Sequence, residues 1–372
     1  MSPSPERIRV LHCLSWIAGG GVERRRLTLA RLLDPERYEQ RLLVRSSNGN
    51  LSAAIRAAGT SIVEIGDGRL FDPRLLARAV RVAREFKPHI VHGAVFEGIG
   101  IAVVAGRACG ARVVVEETSH ATNRSRAGHA LFRGLAAASD ACVAISPAVG
   151  DYLVEVTGVP RGKVTVISNG VLTPAAPQAP RAELRRALGL PEDSRVVGTV
   201  CRLNDDSHKR VSDLLRALIP LSDLDVHLLV VGEGPERRAM ERLAVDLGVD
   251  HRSHFVGYRD DIGNAYATMD VFALVSGREG FGLSVAEAML AHLPVVATAV
   301  GGIRDIVVHE QTGLLVAPGD VDAIAAALRR LLKSPEQCRA FADAGRDRAQ
   351  RLFSAERYAR DVDDFYRSLL KR

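Results

Sequence analysis

MDVFALVSGREGFGLSVAEAMLAHLPVVATAVGG (269–302) contains a complete strand–loop–helix–strand unit. MDVFALVS is a short apolar run with β-branched and aromatic residues, the pattern of a strand buried on both faces. SGREGFG is a glycine-rich turn, LSVAEAMLAHL alternates at helical spacing, and PVVATAV is a second buried strand. Two strands joined through a helix pair in parallel, so this stretch predicts an open parallel sheet covered by helices.

The alternation extends in both directions. Around the central unit, RVVGTVCR (195–202), VHLLVVGEG (226–234), SHFVGY (253–258) and GLLVAP (313–318) read as strands. In the first half the strand candidates are IRVLHCL (8–14), RLLVRS (41–46), HIVHG (89–93), RVVVEE (112–117), ACVAIS (141–146) and KVTVIS (163–168). Helical patterns lie between most of them, notably DPRLLARAVRVAREF (72–86). Between the halves, VLTPAAPQAPR (171–181) has no periodicity and carries Pro174, Pro177 and Pro180, so it reads as a linker. The expectation is two α/β domains, 1–174 and 182–354, joined by 175–181 and facing a central cleft. The last helix, 355–372, places Tyr358, Val362, Phe365, Tyr366 and Leu369 on one stripe and is expected to pack back onto the first domain.

Composition narrows the function. Of 372 residues, 47% are hydrophobic and 25% charged, and the formal net charge is +6, too small a surplus to argue for nucleic acid. The five cysteines are scattered without a C-x-x-C pair, so neither a disulfide framework nor a zinc site is suggested. MSPSPERIRV lacks the apolar region of a signal peptide, and no window is long and apolar enough for a membrane span. A cytoplasmic protein is expected. Peripheral contact with the inner face of the membrane is an option for the basic, partly apolar segment NRSRAGHALFRGLA (123–136), although a solvated face is the simpler reading.

Two constellations can carry chemistry. Glu279 lies in the glycine-rich loop, where a carboxylate can accept hydrogen bonds from sugar hydroxyls. Glu287 lies eight residues on, inside the helix, where it can hold ribose hydroxyls. Alone, two glutamates read as a turn residue and a solvated helix position; the surrounding loop and strand favour the functional reading. In CRLNDDSHKR (201–210), Arg202 and Lys209 flank a polar loop after a strand, where two cations suit a diphosphate. In WIAGGGVERRR (16–26), three glycines between strand and helix are a weak phosphate-loop signal, and Glu23 is equally a first-turn helix carboxylate.

EGFGLSVAEAM resembles the E-x7-E signature of glycosyltransferase family 4, the large retaining GT-B group. GGGVER (19–24), SNGV (168–171), CRL…KR (201–210), VGEGPER (231–237), PVVATAVGGIRDIV (294–307) and TGLLVAPGD (312–320) are similar to its other motifs, in the family's order. The resemblance spans nearly the whole chain and is strongest from about residue 195 to 320.

The resemblance implies two Rossmann-like domains and hexosyl transfer, with retention and without a metal, from a nucleotide-diphosphate sugar to an acceptor hydroxyl. UDP is the expected base, with GDP and ADP open. Arg202 and Lys209 would meet the diphosphate and Glu287 the ribose. Glu279 would meet the sugar, helped by Gly280, Phe281, Gly282 and Leu283. Gly20 and Gly21 would line the cleft, and His120 would stand beside the reacting sugar. His92, Glu97 and Glu117 are candidates for an acceptor pocket. NDDSH ahead of Lys209 is longer and more acidic than the family's usual link, which leaves His208 and Arg210 as alternatives to Lys209. DVD (361–363) matches a metal-binding D-x-D but sits in a terminal helix, so it reads as surface charge. No cofactor, metal or nucleic acid is expected; the acceptor would belong to glycan, polysaccharide or glycolipid synthesis, or be a small natural product. The rival readings are a nucleotide-sugar epimerase or hydrolase, and a non-catalytic nucleotide-sugar binding protein.

Overall fold

A computed structural model describes residues 7–17, 20–68, 72–119 and 124–371. The chain divides into two compact units, Met1–Gly170 with Ala355–Arg372, and Val171–Ser354.

The sheet of the first unit contains β1 (Ile8–Cys13), β2 (Tyr38–Val44), β3 (Ser61–Glu64), β4 (Ile90–Ala94), β5 (Arg112–Glu117), β6 (Ala141–Ala144) and β7 (Val164–Val166). Their order is β3-β2-β1-β4-β5-β6-β7, all parallel. The second unit has β8 (Arg195–Val200), β9 (Val226–Val231), β10 (Ser253–Phe255), β11 (Val271–Leu274), β12 (Val295–Thr298) and β13 (Leu314–Val316). Their order is β10-β9-β8-β11-β12-β13, again all parallel. Each chain path runs outward from the central strand, then returns to that strand's other side. These are doubly wound Rossmann-like sheets, and each has a switch point, between β1 and β4 and between β8 and β11.

The central strands are mostly apolar because helices cover both faces. All six residues of β9, VHLLVV, are buried. The helix Pro73–Phe86 shows how local signals set an element. Asp72 caps it by accepting from the Arg74 N–H, Pro73 occupies its first turn, and Leu75, Ala79, Ala83 and Phe86 face inward. It stops at Lys87 in the left-handed region (φ 50°), just before Pro88. β3 is a strand that the apolar-run reading passes over. It is a four-residue edge strand, and only Ile62 is buried.

The C-terminal helix, Ala355–Leu370, belongs to the first unit. Tyr358, Val362, Phe365, Tyr366 and Leu369 enter one core with Val10, Leu29, Ile90 and Val114. The two acids of DVD are occupied there: Asp361 accepts from Arg357, and Asp363 accepts from Arg37 and Tyr38. The proline-containing segment is tied to the second unit. The Gln178 N–H donates to Asn264 Oδ1 at 2.9 Å, and a Cβ on Gly263 would come within 2.0 Å of the Ala175 carbonyl oxygen. Among the described residues, no helix is long and apolar enough to cross a membrane.

Candidate functional site

Loops at the carboxyl end of a doubly wound sheet converge at the switch point. In the second unit that point lies between β8 and β11. Arg202 follows β8 by two residues; it is exposed and makes no hydrogen bond or ion pair among the described residues. Lys209 ends the short helix Asp206–Lys209, and Glu279 stands in the loop after β11. Lys209 Nζ lies 2.5 Å from Glu279 Oε2, with both side chains mostly buried.

The acidic residues before Lys209 are engaged within their own turn. Asp205 accepts from the Ser207 N–H at 2.9 Å, and Asp206 accepts from the Ser212 N–H and hydroxyl at 3.2 and 2.5 Å. The two acids thus brace the turn that carries Lys209. A second tie joins this turn to the loop after β11. The Gly277 N–H donates to the His208 carbonyl at 2.8 Å, and the Arg278 guanidinium lies 2.6 Å from His208 Nε2. Arg210, the other alternative to Lys209, forms two hydrogen bonds to Asp213, at 2.6 and 3.2 Å.

The loop around Glu279 is shaped from below by two glycines. A Cβ on Gly301 (φ +45°) would come within 1.8 Å of the Glu279 carbonyl oxygen, and one on Gly302 within 2.5 Å of the Gly280 carbonyl oxygen. The turn after β12 therefore packs backbone against backbone on the Glu279 loop, which explains the glycine pair in PVVATAVGG. Gly282 caps the helix Leu283–Leu290 at φ +106°. The Phe281 side chain is buried edge-on against Phe353, so the loop presents Phe281 through its backbone. Glu287 lies on that helix, half-buried, and its Oε2 accepts from the Tyr266 hydroxyl at 3.0 Å.

The switch point of the first unit has the same construction with different residues. Ser15 follows β1, Glu97 lies in the first turn of the helix Phe96–Cys109 after β4, and the Ser15 hydroxyl donates to Glu97 Oε2 at 3.0 Å. Val95, between β4 and that helix, has φ +63°. A positive φ is strained for a β-branched residue, and such strain concentrates at functional loops. Gly20 is the N-cap of the helix Gly21–Leu32, and a Cβ on it would lie 2.5 Å from Glu23 Oε2, so the Glu23 carboxylate folds back over the glycine. Glu117 is occupied by its own loop, accepting from the Thr118 and Ser119 N–H groups and from Arg124 at 2.7 Å. His120 lies outside the described residues.

His92 is placed in the interior. It is 2% exposed, with Nδ1 2.6 Å from the Tyr366 hydroxyl and Nε2 3.3 Å from Glu116 Oε2. Arg25 and Arg26 both contact Glu116, Arg26 at 2.5 Å. Burial pushes the Glu116 carboxyl up, but Arg25 and Arg26 outweigh it and hold it well below the usual range. Burial, with Arg26 beside it, pushes His92 down to about 4. Reading strand ends does not find this cluster, because Arg25 and Arg26 sit in a helix that looks amphipathic and basic.

Two nucleotide-fold units with cations and carboxylates at the switch point define a GT-B type of architecture. Residues 180–348 match the glycosyl transferases group 1 model, and residues 19–173 match the glycosyltransferase family 4 model. The chain belongs to the family-4 type of glycosyltransferases. It is 27% identical over 309 residues to N-acetyl-alpha-D-glucosaminyl L-malate synthase of Bacillus anthracis, covering 81% of this chain and 80% of that protein. It is 34% identical over 224 residues to D-inositol 3-phosphate glycosyltransferase of Corynebacterium urealyticum; that match spans 56% of this chain and about half, 52%, of the relative. In fold it is similar to Anabaena HepE, solved with UDP-glucose, with a TM-score of 0.87 at 21% identity over 97% of this chain and 100% of that one.

Proposed function

We propose that the protein transfers a hexosyl unit, with retention, from a nucleoside diphosphate sugar to an acceptor hydroxyl. The observation that carries this reading is the meeting of Lys209 with Glu279, with Arg202 on the loop that leads to Lys209, at the carboxyl end of the strands that flank the switch point. In this reading Arg202 and Lys209 stabilise the charge that grows on the departing diphosphate, the task a metal performs elsewhere. Glu279 accepts from the sugar hydroxyls and Glu287 from the ribose. The acceptor oxygen bonds to the anomeric carbon as the bond from that carbon to the β-phosphate oxygen breaks, and the acceptor proton passes to the departing phosphate oxygen on the same face. Neither glutamate then serves as the nucleophile that a retaining glycosidase uses.

UDP is the base of first choice, supported by the UDP-glucose complex of the fold neighbour. The acceptor reading follows from charge. The first unit carries 28 Lys and Arg against 19 Asp and Glu, whereas the second carries 22 against 25. Two of the relatives are named for L-malate and D-inositol 3-phosphate, both anionic. A small anionic polyol or hydroxy acid is therefore the acceptor class to test first.

The test is product analysis with UDP-, GDP- and ADP-sugars, each with and without an acceptor panel, in EDTA. A transferase releases nucleoside diphosphate in step with a new glycoside and shows slow hydrolysis alone. Epimerised donor, or acceptor-independent hydrolysis at full rate, would reject the reading, and an inverted anomer by NMR would reject retention.

A further inference from the structure

A glutamate that recognises ribose has to hold its carboxylate at a fixed angle, and Glu287 has a buried partner that can do this. Tyr266, on the helix Ile262–Thr268, is 1% exposed, with its ring against Phe272 at a centroid distance of 6.0 Å. Its hydroxyl donates to Glu287 Oε2 at 3.0 Å and lies 3.5 Å from the Ser284 carbonyl oxygen. A buried phenol requires an acceptor, and here the closer one is a side chain rather than the backbone.

The helix that carries Tyr266 is itself anchored. Asn264 joins Asp261 to the Gln178 N–H, and Arg185 donates to the Thr268 carbonyl. The hydroxyl is therefore a fixed point, and it sets the angle of a carboxylate that sits on a different helix. The chemistry of the donor matters as well. A phenol hydroxyl donates a single directed hydrogen bond, and here it is aimed at one oxygen of the Glu287 carboxylate.

We propose that Tyr266 is a positioning residue through which the site selects ribonucleoside over 2′-deoxyribonucleoside diphosphates. The proposal rests on the reading of Glu287 as the ribose ligand. Removing the hydroxyl takes away a hydrogen bond that directs the carboxylate, which weakens ribose recognition and leaves contacts to base and diphosphate unchanged.

The experiment is calorimetric titration of UDP, GDP and ADP and their 2′-deoxy counterparts into the wild type, Tyr266→Phe, Glu287→Gln and the double variant. Tyr266→Phe is expected to weaken ribonucleotide binding about five- to tenfold, the worth of one ordinary hydrogen bond, with deoxyribonucleotide binding unchanged. In the Glu287→Gln background the same substitution should change neither, because the charged acceptor for the ribose hydroxyls is gone. Equal weakening of both nucleotide types, or no weakening, overturns the positioning role. A wild type that binds ribo- and deoxyribonucleotides alike, or a Glu287→Gln variant that binds ribonucleotides normally, overturns the assignment of Glu287 to ribose, and the proposal with it. If Tyr266→Phe fails to fold, Glu287→Asp, which draws the carboxylate away from the phenol, must show the same selective loss.

Discussion

Lys209 and Glu279 stand seventy positions apart, yet they touch at 2.5 Å across the switch point of the second sheet. Each offsets the other's charge there. On the proposed reading an incoming diphosphate draws on Lys209 while the sugar hydroxyls draw on Glu279, so one contact is exchanged for two. Lys209→Ala should therefore lower kcat by 10²- to 10³-fold, the range for removing one group that stabilises transition-state charge, with a smaller change in KM. Steady-state kinetics on the identified donor separate the two effects. A rise in KM alone would make Lys209 a ground-state binding residue.

The same contact predicts coupling. Lys209→Met leaves a mostly buried carboxylate without its cation, a cost added to the loss of the cation itself. Adding Glu279→Gln removes that surplus charge. The double variant should bind UDP more tightly than Lys209→Met alone, although its turnover stays low. Titration calorimetry on the three proteins measures this, and strict additivity would show that the two side chains act independently in solution.

The placing of Glu279 and Arg202 after strands is legible in the sequence because strand ends follow from apolar runs, and Glu287 lies on the helix that its apolar spacing predicts. Lys209 was harder to place, since NDDSH lengthens its loop. That Asp205 and Asp206 brace the helix by accepting from Ser207 and Ser212 depends on a three-dimensional turn, not on composition. Tyr266 gave no signal at all: a tyrosine in IGNAYAT reads as core, and its partner lies twenty-one positions on, on another helix. His92 shows the reverse limit. A histidine in a strand after a buried run looks like a strand-end ligand, but its ring points into the core against Tyr366 of the C-terminal helix. The β3 edge strand escaped because four residues with one buried side chain carry too little pattern.

Gly301 offers a structural test of the site's floor. Its φ is +45°, and a Cβ would lie 1.8 Å from the Glu279 carbonyl oxygen, so alanine is both strained and obstructed by backbone. Gly301→Ala should cost about 2 kcal/mol of stability or more and displace the Glu279 loop. Urea denaturation reads the first effect and UDP affinity the second. By contrast Gly134→Ala, where a Cβ would meet nothing within 4 Å on an exposed helix face, should be neutral or slightly stabilising. Equal tolerance at the two positions would show that the Glu279 loop does not rest on Gly301.

The buried cluster in the first unit predicts how the protein responds to acid. Burial holds His12 well below its ordinary value and brings His92 to about 4, so the fold keeps both imidazoles neutral where the unfolded chain would protonate them near 6.5. Glu116 is held low against its burial by Arg25 and Arg26, so the fold keeps it charged where the unfolded chain takes up a proton near 4.5. For all three groups the unfolded state binds more protons, and stability falls as pH is lowered. The loss should begin near pH 6.5, with two histidines giving a slope approaching about 2.7 kcal/mol per pH unit in the range above 4. Below about 4.5, Glu116 adds to it. Urea midpoints across pH 4 to 8 measure the slope, and His92→Gln should flatten it by about one proton. Glu116→Gln should cost about 3–5 kcal/mol at neutral pH, because it leaves two buried guanidiniums without their carboxylate. A flat profile from pH 7 to 4 would mean that His12 and His92 titrate normally in the fold, and that the cluster joining Tyr366 to the first sheet is open to water.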